Sequence, residues 1–152
     1  MNRLQNIVAY LCSNYPYKHE LSKARLTKLV YLADWFSALL DDEQLTDIRW
    51  VFNHYGPYVD DVVDSAKGSR SFNILHQENH YGSSKHLVEF CGDTRDIDLS
   101  DRDEEILDAV IDKTKSMYFN SFIDYVYSTY PVKASDRYAV LDLVSLARDF
   151  RR

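Results

Sequence analysis

Three histidines, His76, His80 and His86, stand close in sequence to Glu78, Glu89 and Cys91. Imidazole, carboxylate and thiolate are the donors that hold zinc, and positions 76, 78 and 80 share one face of a strand. No C-x2-C or H-E-x-x-H spacing accompanies them, so half-exposed hairpin residues are expected rather than a metal site. The two cysteines, Cys12 and Cys91, are too far apart for a zinc knuckle and too few for a disulfide framework. Both are expected as reduced thiols packed like small hydrophobes. The chain has no G-x-S-x-G, P-loop or G-x-G-x-x-G pattern, and no acid/base pair stands out among its carboxylates. No cofactor, no metal and no enzymatic activity is expected.

Arg49 and His54, with four residues between them, are the nearest approach to a catalytic motif. The spacing resembles the active-site motif of HEPN ribonucleases, where the pair acts on a scissile RNA phosphate. In that family the motif lies on a helix, whereas here it falls in a predicted strand and turn. A separation of five along a strand puts the side chains on opposite faces. Trp50 also replaces the usual polar neighbour. A ribonuclease is therefore kept only as the enzymatic alternative.

Several elements must position whatever these residues do. Asn2 and Gln5 form a capping-box variant, and Leu4, Ile7, Val8 and Leu11 recur at helical spacing. A first helix is predicted from Arg3 to Asn14, stopped by Tyr15-Pro16. The second helix, Lys23 to Leu40 with Ser22 as cap, is apolar on two faces. Leu26, Leu29, Val30, Ala33, Phe36, Ser37 and Leu40 form one; Tyr31, Trp35, Leu39 and the stem of Lys28 form the other. Thr27 and Asp34 leave a narrow polar stripe. Such a helix is sandwiched in a bundle, or else Tyr31 and Trp35 face a partner. Lys23, Arg25 and Lys28 crowd its N-terminal half, where the macrodipole disfavours cations; a solvated face is expected for them, the alternatives being an acidic partner or an internal carboxylate.

Ile48 to Phe52 reads as a short strand. In Asn53-His54-Tyr55-Gly56-Pro57-Tyr58, glycine frees the backbone and Pro57 is pre-set to open a helix. That helix should continue through Val59, Val62, Val63 and Ala66 to Gly68. Phe72–Gln77 and His86–Cys91 flank Tyr81-Gly82-Ser83-Ser84 as a hairpin. Ser100 caps an acidic-fronted helix burying Ile106, Leu107, Val110 and Ile111. Another helix follows over Ser121–Thr129, with Phe122, Ile123 and Val126 inward and Pro131 ending it. A last one is predicted from Asp136 to Phe150, burying Val140, Leu143, Val144, Ala147 and Phe150. The expected fold class is α+β and mostly α-helical: a compact bundle of about six helices with a small β-hairpin or short antiparallel sheet, forming one domain over 1–152.

Composition narrows the function classes. The 152 residues carry 18 basic and 24 acidic groups, a net charge of −6. Phosphate neutralisation dominates sequence-independent nucleic-acid affinity, so direct nucleic-acid binding is not expected. Residues 41–68 carry a net −5 and residues 96–112 a net −7, while 1–40 and 113–152 each carry +3. Such fields would steer a basic partner. No apolar run approaches the roughly 20 residues of a membrane span. Met1 to Asn6 shows no signal-peptide apolar region, and a cytoplasmic location is expected. With 12 tyrosines, the chain is rich in a residue suited to half-buried surfaces and interfaces.

Two blocks read together carry a family likeness. Leu26-Thr27-Lys28-Leu29-Val30-Tyr31-Leu32-Ala33-Asp34-Trp35, then Tyr55-Gly56-Pro57 with Val59, Val62 and Val63, resemble the Panacea domain, also called SocA-like. Leu99-Ser100, Ser121-Phe122-Ile123 and Thr129-Tyr130-Pro131 follow in the expected order. The resemblance implies a mostly helical antitoxin, of bacterial, phage or prophage origin, that neutralises a cognate toxin by protein–protein contact. As an alternative it implies a proteolytic adaptor that hands the toxin to a protease. Lys28, Tyr31, Tyr55, Gly56 and Pro57 match the motif. Asn53 departs from a frequent tryptophan, and Tyr58 from a frequent valine. The residues expected near the partner are Lys28, Tyr31, Trp35, Tyr55, Gly56, Pro57 and Tyr58.

Overall fold

The structure, a computed structural model, describes residues 1–78 and 84–152. Helix α1 (Arg3–Asn14) opens on the Asn2/Gln5 capping box. The Asn2 side chain accepts from the Gln5 amide at 2.8 Å, and the Gln5 side chain accepts from the Asn2 amide at 2.9 Å. A 3-10 turn (Lys18–Glu20) leads to α2 (Lys23–Asp41), capped by Ser22. Thirteen of the nineteen residues of α2 are buried, so it is enclosed on all sides rather than amphipathic. It runs through the core, with α4 (Asp101–Thr114), α7 (Leu143–Phe150), α3 (Asp61–Lys67) and α5 (Phe119–Ser128) packed around it.

Strand β1 (Trp50–Asn53) is the centre of a small antiparallel sheet, flanked by β2 (Gly56–Pro57) and β5 (Val140–Leu141). Phe52 lies opposite Pro57 on one side, and Trp50 opposite Leu141 on the other. The β3–β4 hairpin (Phe72–Glu78, Ser84–Phe90) pairs in register from Phe72–Phe90 outward. It docks on the bundle through the Val88 amide, which donates to Leu21 O at 3.0 Å. The predicted turn Tyr81-Gly82-Ser83-Ser84 and His80 fall largely outside the described residues. Ser100 and Asp103 form a full capping box on α4.

Several expectations are corrected. Gly56-Pro57 does not open a helix: it forms β2, and α3 begins only at Asp61. The open edge of β1 competes for the same backbone, and the Tyr58 amide donates to Val51 O at 3.1 Å. α5 ends at Ser128 as expected, but Pro131 then sits in the first turn of a further short helix, α6 (Tyr130–Ala134), where its missing N–H costs nothing. The last helix does not start at Asp136. Residues 136–142 form a turn, with Tyr138 at φ 72°, and then β5. Val140 is accordingly 45% exposed, since one face of this short edge strand looks outward. Cys12 is buried as expected, and burial pushes its thiol up to about 12; Cys91 is exposed. Among the described residues, no helix is long and apolar enough to cross a membrane.

Candidate functional site

The polar stripe of α2 points inward. Asp34 is fully buried, where an unpaired carboxylate would be costly. It is instead surrounded by donors: the Thr46 amide at 2.9 Å, the Thr46 hydroxyl, Trp50 Nε1 at 2.8 Å and Gln44 Nε2 at 3.3 Å. Burial pushes its carboxyl up to about 6, and those hydrogen bonds restrain the rise. Asp34 thereby ties the 42–50 segment to α2 and sets the direction in which β1 leaves the core.

Tyr31 and Trp35 belong to that frame. Tyr31 is fully buried, its hydroxyl is 2.8 Å from Thr129 Oγ1, and its ring meets Trp50 edge-on at 5.6 Å. Trp35 is buried against Phe150, with centroids 6.1 Å apart. Of the two readings of α2, the sandwiched one describes both rings in this structure. Segments far along the chain cover both faces of α2, so neither ring reaches the surface.

The β1–β2 hairpin does reach it. Its turn places Tyr55 75% exposed, with the His54 ring edge-on at 4.5 Å. Gly56 has φ +101°, a conformation that side chains rarely adopt, and a Cβ there would lie 3.4 Å from the Tyr127 ring and 3.6 Å from Lys28 Cε. Glycine therefore lets the hairpin close on α2. Pro57 is buried and Tyr58 half-buried. Lys28, expected in solvent, is only 2% exposed because the hairpin lies over its stem. Its ammonium stands 5.8 Å from the centroid of the Tyr58 ring. Burial lowers the Lys28 pKa to about 8, and no neighbouring carboxylate offsets that shift. Tyr58 is shifted upward, by burial first and then by the charges of Asp60 and Asp64. A hollow of about 360 Å³ opens between α2 and the hairpin, lined by Ala24, Lys28, Asn53, His54, Tyr55 and Tyr58. Its walls are mostly ring and aliphatic surface, with one cation.

The residues considered for catalysis are not brought together. Arg49 lines a different hollow with Gln44, Asp47, Ile48, Val140, Leu141 and Asp142. His54 faces the Lys28 hollow, and its Nδ1 lies 3.5 Å from the Tyr138 hydroxyl. On the other hairpin, His76 and His86 pair across the strands with rings 4.9 Å apart, and His76 Nε2 lies 3.3 Å from Glu78. Among the described residues, no group of three or more His, Cys, Asp or Glu is placed to hold a metal ion.

A second region escaped the sequence reading. Arg25, also expected in solvent, is 1% exposed. Its guanidinium donates to the Tyr15 hydroxyl at 2.7 Å, Thr114 O at 3.1 Å and Met117 O at 2.9 Å, and lies 4.5 Å from the centroid of the Phe122 ring. Beside it a hollow of about 410 Å³ is lined by Glu20, Ser22, Arg25, Lys85 and Phe119. Tyr17, Tyr118 and Phe119 are exposed around this side. The available signal was Tyr118-Phe119, adjacent aromatic residues just ahead of the periodic apolar positions of α5.

A family model described as antitoxin SocA-like, Panacea domain, matches residues 26–131. That span starts in the first turns of α2 and closes at Pro131, so it includes Lys28, the β1–β2 hairpin and Tyr58. Comparison with curated proteins and with solved structures returned no match. The family match covers well over half of the chain, which therefore belongs to the Panacea domain family of SocA-like antitoxins.

Proposed function

We propose that this chain is an antitoxin that neutralises a protein toxin by direct contact, and that the contact face is built from the β1–β2 hairpin and the N-terminal half of α2. The observation that carries this reading is the exposed Tyr55 beside an apolar hollow, inside the span matched by the antitoxin family. A large ring held on a rigid hairpin supplies contact area at low entropic cost, as interface anchors do. Tyr55, Tyr58 and Lys28 touch the toxin; Gly56 and Pro57 shape the hairpin; Tyr31 supports β1 through Trp50, and Trp35 holds α2 against α7. Residues 1–152 act as one unit, in the cytoplasm where the toxin acts, and no step requires a catalytic group. The net charge of −6 favours a basic toxin surface.

The test is rescue of a toxin-expressing cell. With Tyr55→Ala and Tyr58→Ala combined, rescue should fail at wild-type protein level; undiminished rescue removes the contact from this face. Toxin half-life should be unchanged during protection. A half-life shortened by this chain would instead identify a proteolytic adaptor.

A further inference from the structure

Among the described residues four charged side chains are buried, Arg25, Lys28, Asp34 and Asp103, and all but Lys28 are hydrogen-bonded. Arg25 donates to Tyr15, Thr114 and Met117, and Asp34 accepts from Thr46, Trp50 and Gln44. Lys28 is as little exposed, yet its side chain makes no hydrogen bond or ion pair with the described residues, and its ammonium stands 5.8 Å from the centroid of the Tyr58 ring. An ammonium removed from water costs several kcal/mol unless a counter-charge or hydrogen bonds replace its hydration. No hydrogen bond or ion pair among the described residues reaches the Lys28 ammonium, which meets water only through the hollow that opens outward beside it.

The surroundings restrict what could compensate. Asp60 and Asp64 stand close enough to Tyr58 to act on its hydroxyl, so the rim beyond the rings is acidic. A polyanionic occupant would be repelled at that rim. A single carboxylate on a short aliphatic stem matches both the lone cation and the apolar walls.

We propose that the hollow between α2 and the β1–β2 hairpin receives one Asp or Glu side chain from an otherwise basic toxin surface, its carboxylate pairing with Lys28 between the rings of Tyr55 and Tyr58. The inference rests on the direct-contact reading above and names the chemistry of its central contact. Lys28 then stays largely buried and unpaired in the free antitoxin, its ammonium facing the hollow, and gains its counter-ion only on binding. Truncating one member of a buried interfacial charge pair typically costs affinity steeply.

The experiment uses the toxic product of the reading frame adjoining this chain's gene, co-expressed and measured for binding to the purified full chain. Lys28→Met keeps the stem and removes only the charge. It should weaken binding about 30-fold or more while leaving the thermal midpoint unchanged or raised. Lys28→Glu should abolish protection, and one Asp→Lys or Glu→Lys change in the toxin should restore it. Wild-type affinity in Lys28→Met, or failure of every single reversal to restore Lys28→Glu, overturns the inference and leaves direct contact standing. No complex with the wild-type chain overturns the direct-contact reading itself, and this inference with it.

Discussion

Two cations three residues apart on α2, Arg25 and Lys28, are both withdrawn from water, and each borders a hollow. Around Arg25 the protein supplies a hydroxyl, two carbonyls and two aromatic faces, those of Tyr15 and Phe122. Around Lys28 it supplies rings and aliphatic carbon. The first arrangement fixes the loop between α4 and α5 against α2, and holding the fold together accounts for it fully. The second stabilises nothing inside the chain. Burial alone therefore does not separate architecture from function; the state of the hydrogen bonds around the buried charge does.

The largest expected effect tests the architectural half of that contrast. Arg25→Leu removes the guanidinium donor from the Met117 carbonyl and the Tyr15 hydroxyl, and one of the donors of the Thr114 carbonyl, so unfolding free energy should fall by about 3 kcal/mol or more. Denaturant unfolding would measure it, and a loss below about 1 kcal/mol would show that α4 and α5 re-pair without Arg25.

Asp34 sharpens the contrast through pH. Its folded pKa, raised to about 6, exceeds the ordinary carboxylate value of 3.8, so between those values the folded chain binds more protons than the unfolded one. Stability should therefore fall as pH rises from about 4 to about 6, and stay reduced above. Relative to Asp34→Asn, which cannot titrate, the wild type should lose up to about 3 kcal/mol across that window. A flat difference would mean that the donors around Asp34 fully replace its hydration.

Lys28 should show the opposite slope. Its folded pKa, lowered to about 8 against 10.5, means that the unfolded chain binds more protons between those values. Stability should rise with pH across that interval. At pH 7, Lys28→Met should be more stable than wild type by about 2 kcal/mol, and the gap should close toward pH 10.5. A destabilised Lys28→Met would place Lys28 with Arg25 among the structural charges.

The smallest effects on stability fall at the exposed rings. Tyr55→Ala and Tyr118→Ala should each change unfolding free energy by no more than about 0.5 kcal/mol. Only Tyr55→Ala should weaken toxin protection. Equal loss from Tyr118→Ala, whose side chain is on the Arg25 side and 82% exposed in residue terms, would erase the distinction between the two faces.

Much of the fold was legible locally. The Asn2/Gln5 and Ser100 caps and the runs around α1, α2 and α4 mark helices through neighbours three and four residues away. The errors share a cause. Pro57 and Pro131 each suit more than one local role, and the competing strand or helix decided which role won. Val140 fits a helical period with Leu143 and Val144 and equally fits an edge strand, and the free side of β1 settled the matter. At the candidate site, Tyr55, Gly56, Pro57 and Tyr58 were readable as an aromatic corner around a glycine. The burial of Lys28 and Arg25 was not, because a lysine or arginine on a helix carries no local mark of what will cover it.

The sequence by itself determined the family, the helix starts and an acidic, tyrosine-rich chain, since these depend on residue identity and short spacing. Tertiary structure alone decided that Tyr31, Trp35 and Asp34 face inward, that β1 gains β5 from ninety residues further on, and that Lys28 is enclosed without a counter-charge. Burial and pairing of that kind are set by whichever distant segment packs opposite. No neighbour within a helical turn or a strand repeat encodes that choice.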